Sequence, residues 1–283
     1  VFTSKQRFTA AKFAKAWLPD HLLERVSGAR TRDLGYGYDA FGMNADWVAF
    51  GLGLMRPLYE KWFRVKSTGH EHIPGKGGAI LAGNHSGTLP YDAMMVWNDV
   101  VRNTDPVRVP RPVVDYFVDM LPWVSILFTR AGAIGGSRGN VHRALSHGEL
   151  MLLFPEGTPG ISKPFSERYK LQTWRAGHIE LAIRHQVPVI PVAVIGAEEQ
   201  LPQLAKLPIS LFGSPFLPVS PTVFVPLPVR YHIYYGEPIR VNDDYPPEAA
   251  TDPAALEDGC TRVKEAVEAL IARGLEEREG VFV

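Results

Sequence analysis

The chain has 283 residues, 46% hydrophobic and 21% charged, an ordinary globular mix that excludes a disordered or fibrous protein. Lys plus Arg balance Asp plus Glu at 30 each, so the cationic surplus of a general nucleic-acid binder is missing. The single cysteine, Cys260, excludes an internal disulfide scaffold and a cysteine metal cluster, and no apolar run approaches the roughly 20 residues of a membrane-spanning helix.

The N-terminal VFTSKQRFTAAKFAKAW is basic and amphipathic and lacks the apolar core of a signal peptide. A soluble or peripheral intracellular protein is expected. Charge is distributed unevenly: twelve basic against seven acidic residues up to Lys76, and five against eleven from Arg240 onward. The basic end also carries Phe8, Phe13, Trp17, Trp47, Phe50, Trp62 and Phe63. Trp47, Phe50, Leu54, Leu58 and Trp62 recur at helical spacing, which predicts a helix with a broad apolar face. Pro57 should kink it or begin a new segment, because it has no N–H to donate. A basic, aromatic helix of this kind suits the membrane interface, and it equally suits packing on a domain core.

From Gly78 the pattern becomes α/β. GGAILAGN predicts a buried strand ending at Asn84, and Pro90 to Val101 a helix. Pro106 to Val114 holds a second strand, followed by the apolar DYFVDMLPWVSILF. A brief strand at Ala131 to Ile134 and a helix at Asn140 to His147 come next. GELMLLFPEG is a buried strand, Trp174 to His185 a helix, and VPVIPVAVIG another buried strand. Leu207 to Pro228 is too rich in proline to be regular structure and reads as a lid or a lipid contact. Arg230 to Tyr235 alternates as a strand does, and Ala254 to Arg278 closes the chain as an amphipathic helix. The expected fold is therefore α/β, a mixed, largely parallel sheet flanked by helices, with amphipathic helices ahead of it. Residues 1–66 would form the N-terminal helical segment and 67–283 the α/β catalytic domain.

Ligand sites on open parallel sheets gather at the carboxyl ends of strands, and two such ends carry reactive groups. The first begins NHSGTLPYD. His85 leaves the strand, and Asp92 falls in the first turn of the next helix, where the helix dipole favours a carboxylate. Asp92 folded back onto one imidazole nitrogen would leave the other free to take a proton from a substrate hydroxyl. The second strand ends FPEGT, where Glu156 lies between a proline and a glycine and Gly157 leaves room for a ligand. A third patch, GAIGGSRGN, sets four glycines around Arg138 at a helix start, a pattern suited to an anion. The bland reading of each patch is a loop histidine, a turn glutamate and a plain glycine turn.

Together the three patches resemble the lysophospholipid (glycerolipid) acyltransferase family typified by bacterial 1-acylglycerol-3-phosphate acyltransferases. NHSGTLPYD corresponds to that family's N-H block with its following Asp. GAIGGSR keeps Gly132 and Arg138 of the second block. FPEGTPG matches the third from Phe154 to Gly160, and VPVIPV the fourth from Val187 to Val192. The resemblance runs from about Arg56 to Arg240. Two departures matter: six residues instead of four separate His85 from Asp92, and Pro159 stands where an arginine ordinarily follows E-G-T. The variant blocks look more like the monoacylglycerol- and diacylglycerol-acyltransferase-like branch. The resemblance implies acyl transfer from acyl-CoA or acyl carrier protein to a glycerolipid hydroxyl. His85 would be the general base, with Asp92 fixing its tautomer. Arg138, Glu156, Gly157 and Thr158 would bind the acceptor's polar head. No metal or cofactor is required, and oxyanion donors are sought among backbone amides near Gly87 or Gly157. A cytoplasmic protein attached to the membrane surface is expected.

Two rivals come from other classes. GGSRG, Gly135 to Gly139, satisfies the G-x-S-x-G elbow of serine esterases, with Ser137 as nucleophile and His178, His185 and His232 downstream. A non-catalytic lipid-binding protein on the same fold is the other. His70-Glu71-His72 is not a zinc motif, because Ile73-Pro74 ends any helix there.

Overall fold

The computed structural model describes residues 4–29, 33–86, 89–115, 118, 121–207, 217–222 and 225–283. Its strands are β1 (Lys66–Thr68), β2 (Ala79–Gly83), β3 (Arg111–Val114), β4 (Ile134–Gly135), β5 (Leu150–Leu153), β6 (Val189–Ile195), β7 (Ala205–Leu207), β8 (Leu217–Val219) and β9 (His232–Tyr235). Seven of them form one sheet in the order β1-β9-β6-β2-β5-β3-β4. From β6 to β4 every pairing is parallel; β9 runs antiparallel to β6, and β1 runs parallel to β9. A mixed, mostly parallel sheet flanked by helices is what the alternation of elements predicts.

The central strands are apolar throughout because both faces are covered. Side-chain alternation sends Ile80 and Ala82 of β2 to one face, with Met151, Val189, Ala193 and Ile195. There they meet Val141, Ala144, Ile179, Ala182, Val263 and Val267 from the helices Arg138–Ser146, Gly177–His185 and Pro253–Glu277. Ala79 and Leu81 go to the other face, with Leu150, Leu152, Ile190 and Val192, against Met95, Val96 and Val100 of the helix Tyr91–Asn103.

The N-terminal segment packs onto the same body. Ala14, Leu18, Leu22, Val26, Met43, Val48 and Leu52 share a buried cluster with Trp97, Val101 and Val109. Asn44 caps the helix Ala45–Pro57 by accepting from the amides of Asp46 and Trp47, and Pro57 passes it into a π-helical turn, Leu58–Trp62. Buried Arg111, on β3, pairs with Asp39 of the N-terminal segment and with Glu149 at 3.2 Å. The division at residue 66 thus marks a change in sequence character, while the packing across it is continuous. Among the described residues no helix is long and apolar enough to cross a membrane.

Several boundaries differ from expectation. Ala131 ends a helix, Val124–Ala131, and the short strand begins only at Ile134, since Gly132 takes a left-handed conformation at φ 109° and turns the chain. The helix expected from Trp174 starts at Gly177. The segment Leu207 to Pro228, read as irregular, begins in a ribbon: β7 pairs antiparallel with β8, Lys206 opposite Pro218. A two-stranded ribbon tolerates proline because each strand is paired on one side only. Leu211, Phe212, Phe216 and Phe224 of that segment lie outside the described residues, as does Gly87.

Candidate active site

Parallel neighbours β2 and β5 end side by side, which brings His85 and Glu156 to one lip of the sheet. Beyond Gly83 the chain leaves the ladder, yet Asn84 continues it with its side chain. Its amide nitrogen donates to the Val194 carbonyl at 3.1 Å, and its oxygen accepts from the Val194 amide at 2.8 Å. The fully buried Asn84 thereby fixes where His85 departs.

His85 Nδ1 lies 2.6 Å from Asp92 Oδ2. The two extra residues in the interval do not prevent the pair, because Asp92 sits in the first turn of Tyr91–Asn103 and faces back to the strand end. Asp92 is wholly buried; Oδ2 also accepts from the Ser86 amide at 2.9 Å, and Oδ1 from the Ala93 amide at 2.7 Å. With a carboxylate on Nδ1, the proton belongs on that nitrogen and Nε2 carries the free lone pair. The imidazole stacks on Phe154, ring centroids 4.3 Å apart and planes 18° from parallel, and the side chain keeps 19% of its surface exposed. A histidine oriented by a buried acid and still partly exposed can act as a base.

Glu156 occupies a different place from the one expected. Its carboxylate points inward and is wholly buried. Oε1 accepts from the His85 amide at 3.1 Å and Oε2 from the Gln172 amide at 2.8 Å, with Lys163 Nζ 3.4 Å from Oε2. Both oxygens are thus committed, so the side chain holds the histidine loop rather than facing an acceptor. Lys163 bridges on to Glu198 at 3.1 Å, which also accepts from the Tyr169 amide. Burial pushes the Glu198 carboxyl up, and Lys163 opposes that shift.

Gly157 adopts φ 57° and ψ −145°, a conformation open essentially to glycine alone. Its amide donates to the Phe154 carbonyl at 3.0 Å, which removes it as an oxyanion donor. Thr158 begins a single helical turn, Thr158–Ile161, that crosses directly over His85. A Cβ added to Gly160 would lie 3.2 Å from His85 Cβ and 2.8 Å from Glu156 Cβ. Arg138 stands farther off, exposed, just after β4. With β5 and β3 between, β4 is about 14 Å from β2 at ordinary strand spacing.

Ser137 is not at a strained elbow. Its backbone is extended, and its hydroxyl caps Arg138–Ser146 by accepting from the Asn140 amide at 3.2 Å. The histidines proposed to serve it are engaged elsewhere. His178 Nδ1 meets the Arg175 carbonyl at 3.0 Å, and His185 pairs with His142 at 2.7 Å. His232 lies on β9, on the far side of β2 from Ser137. Sequence reasoning missed Asn84, Phe154, Lys163, Gln172 and Glu198. The first two lie inside recognised blocks; the other three are gathered only by folding.

Residues 64–195 match the family described as Acyltransferase. An uncharacterized protein of Mycobacterium tuberculosis is 35% identical over 262 residues, covering 87% of this chain and 72% of that protein. The chain belongs to the acyltransferase family. More distant is the bovine DGAT1/2-independent enzyme synthesizing storage lipids, 28% identical over 74% of this chain and 60% of that enzyme. The crystal structure of the 1-acyl-sn-glycerophosphate (LPA) acyltransferase PlsC from Thermotoga maritima superposes with a TM-score of 0.57 at 16% identity. It covers 97% of this chain and 98% of that one, a likeness of fold. By family, the chain is an acyltransferase.

Proposed function

We propose that this acyltransferase moves a fatty acyl group from acyl-CoA, or acyl carrier protein, to the hydroxyl of a lysophospholipid or related glycerolipid. The observation that carries the reading is the His85–Asp92 pair at 2.6 Å on the carboxyl lip of the sheet. The acceptor hydroxyl gives its proton to His85 Nε2 as its oxygen attacks the thioester carbonyl. The tetrahedral intermediate collapses by breaking the C–S bond, and the departing thiolate takes the proton back from the imidazolium. Asp92 stabilises that imidazolium and holds the ring; Glu156 holds the backbone from which the ring projects. Base catalysis of this kind supplies roughly a hundred- to ten-thousand-fold. Orientation and oxyanion stabilisation supply the remainder.

The test is radiolabelled acyl-CoA with a panel of lyso-acceptors. Wild type should transfer label to lipid, and His85→Ala should lower kcat at least about a hundredfold while keeping the folded spectrum. Label released as free fatty acid through Ser137, with His85→Ala unaffected, would favour an esterase. Neither transfer nor hydrolysis would favour a lipid-binding protein.

Such substrates reside in bilayers, and the basic N-terminal helices offer a surface contact. Trp17 and Leu54 are 50% and 40% exposed there, beside an aromatic cluster of Phe13, Trp17, Trp47 and Phe50. Each Lys or Arg near an anionic surface contributes on the order of 1 kcal/mol. Peripheral attachment predicts co-sedimentation with anionic liposomes at low salt; a protein left in the supernatant would refute it.

A further inference from the structure

The proposed reaction leaves one question about its own site: which cation beside the histidine turn is free to meet a charged head group. Cations around the histidine turn are mostly committed. Lys163 is buried between Glu156 and Glu198 and also donates to the Lys170 carbonyl. Arg168 pairs with Glu199 at 3.8 Å and bonds the Phe165 carbonyl. Arg138 has no partner among the described residues but lies beyond β4, two strands from β5.

Arg175 is different. Its backbone amide donates to the Pro155 carbonyl at 3.0 Å, and three residues earlier the Gln172 amide binds Glu156. These two bonds lay segment 172–175 along the Pro155-Glu156-Gly157 turn. The side chain then covers Gly157: a Cβ placed on that glycine would lie 3.6 Å from the guanidinium carbon and 3.8 Å from a terminal nitrogen. Arg175 is exposed, and its guanidinium has no acid or carbonyl partner among the described residues. The turn it lies against is the one whose glutamate holds the His85 amide.

We infer that Arg175 is the head-group contact, recognising a phosphate carried by the acceptor. The inference rests on the acyl-transfer reading above. A planar guanidinium with all its donors free matches a phosphate bidentately. Both substrates can carry phosphate, but their geometry separates them. In a lysophospholipid the phosphate is a few bonds from the hydroxyl that must meet His85. In acyl-CoA the phosphates are a whole pantetheine arm away from the thioester.

The experiment measures wild type, Arg175→Gln, Arg175→Lys and Arg138→Gln with 1-acylglycerol 3-phosphate and with monoacylglycerol, varying acceptor and acyl-CoA separately. Arg175→Gln should raise KM for the phosphorylated acceptor about ten- to a hundredfold, with kcat and the monoacylglycerol KM within about twofold. Arg175→Lys should recover part of that loss, and Arg138→Gln should fall short of it. Equal losses on both acceptors would overturn the assignment, as would a rise confined to the acyl-CoA KM. Equilibrium binding of 1-acylglycerol 3-phosphate is read in parallel. If wild type acylates neither acceptor, the transfer reading fails. Binding weakened by Arg175→Gln still upholds the contact in that case, and unchanged binding refutes it.

Discussion

On the inner side of the histidine turn, Asp92, Glu156 and Glu198 are buried carboxylates whose oxygens are held by backbone amides and one lysine. On the outer side, Thr158 is half-buried and Arg175 is exposed, and neither side chain has a bond among the described residues. Both sides belong to the same few loops. The difference separates two tasks. Proton transfer needs a ring held to a fraction of an ångström, which buried, fully bonded acids provide. Head-group recognition needs donors left unspent until a ligand arrives, because a pre-paired guanidinium would first have to give up its partner. The inner side should therefore respond to substitution in stability and rate together, and the outer side in acceptor affinity alone.

The largest effect expected is at Lys163. Lys163→Met leaves two buried carboxylates facing one another without their cation, at a cost of about 3–5 kcal/mol in unfolding free energy. Chemical denaturation measures this, and a loss below about 1 kcal/mol would mean that the inner side is looser than its bonds suggest. Next is a pH effect behind the Arg175 segment. Burial lowers the His178 pKa from 6.5 to about 4, so the folded protein keeps this ring neutral where the unfolded chain protonates it. The contribution is fully present above pH 6.5 and is lost as pH falls toward 4, amounting to about 3 kcal/mol. Wild type should lose that much more stability than His178→Gln between pH 7 and pH 4; parallel pH curves would contradict it.

Glu156→Gln sharpens the comparison further. One backbone amide loses its acceptor, at a cost of about 1–3 kcal/mol, and kcat should fall with little change in acceptor KM. A change confined to KM would return Glu156 to the outer, head-group side. The smallest effect belongs to Ser137→Ala, which should cost about 1 kcal/mol as a lost helix cap and leave acyl transfer intact.

The sequence made the inner site partly legible. The N-H and F-P-E-G blocks mark two strand ends, and period and length predict the parallel sheet that sets those ends side by side. It did not disclose that Glu156 turns inward, since a glutamate in a turn reads alike whether its acceptors come from solvent or from distant amides. Nor did it disclose Lys163, Glu198 or Arg175, which lie in no motif. They reach the site through Lys163–Glu198 and Arg175–Pro155 contacts made only in the folded chain. Proline content concealed the strand Leu217–Val219, because composition does not report that a ribbon leaves half its amides unpaired.

The His85–Asp92 bond also shows which parts of the chain fix the distance between the two side chains. Asp92 is placed by the helix it begins and His85 by the strand it ends, so the contour length between them is not what sets their distance. A connection two residues longer still lets the pair form, while a shift of either residue by one position along its own element would rotate it out of reach.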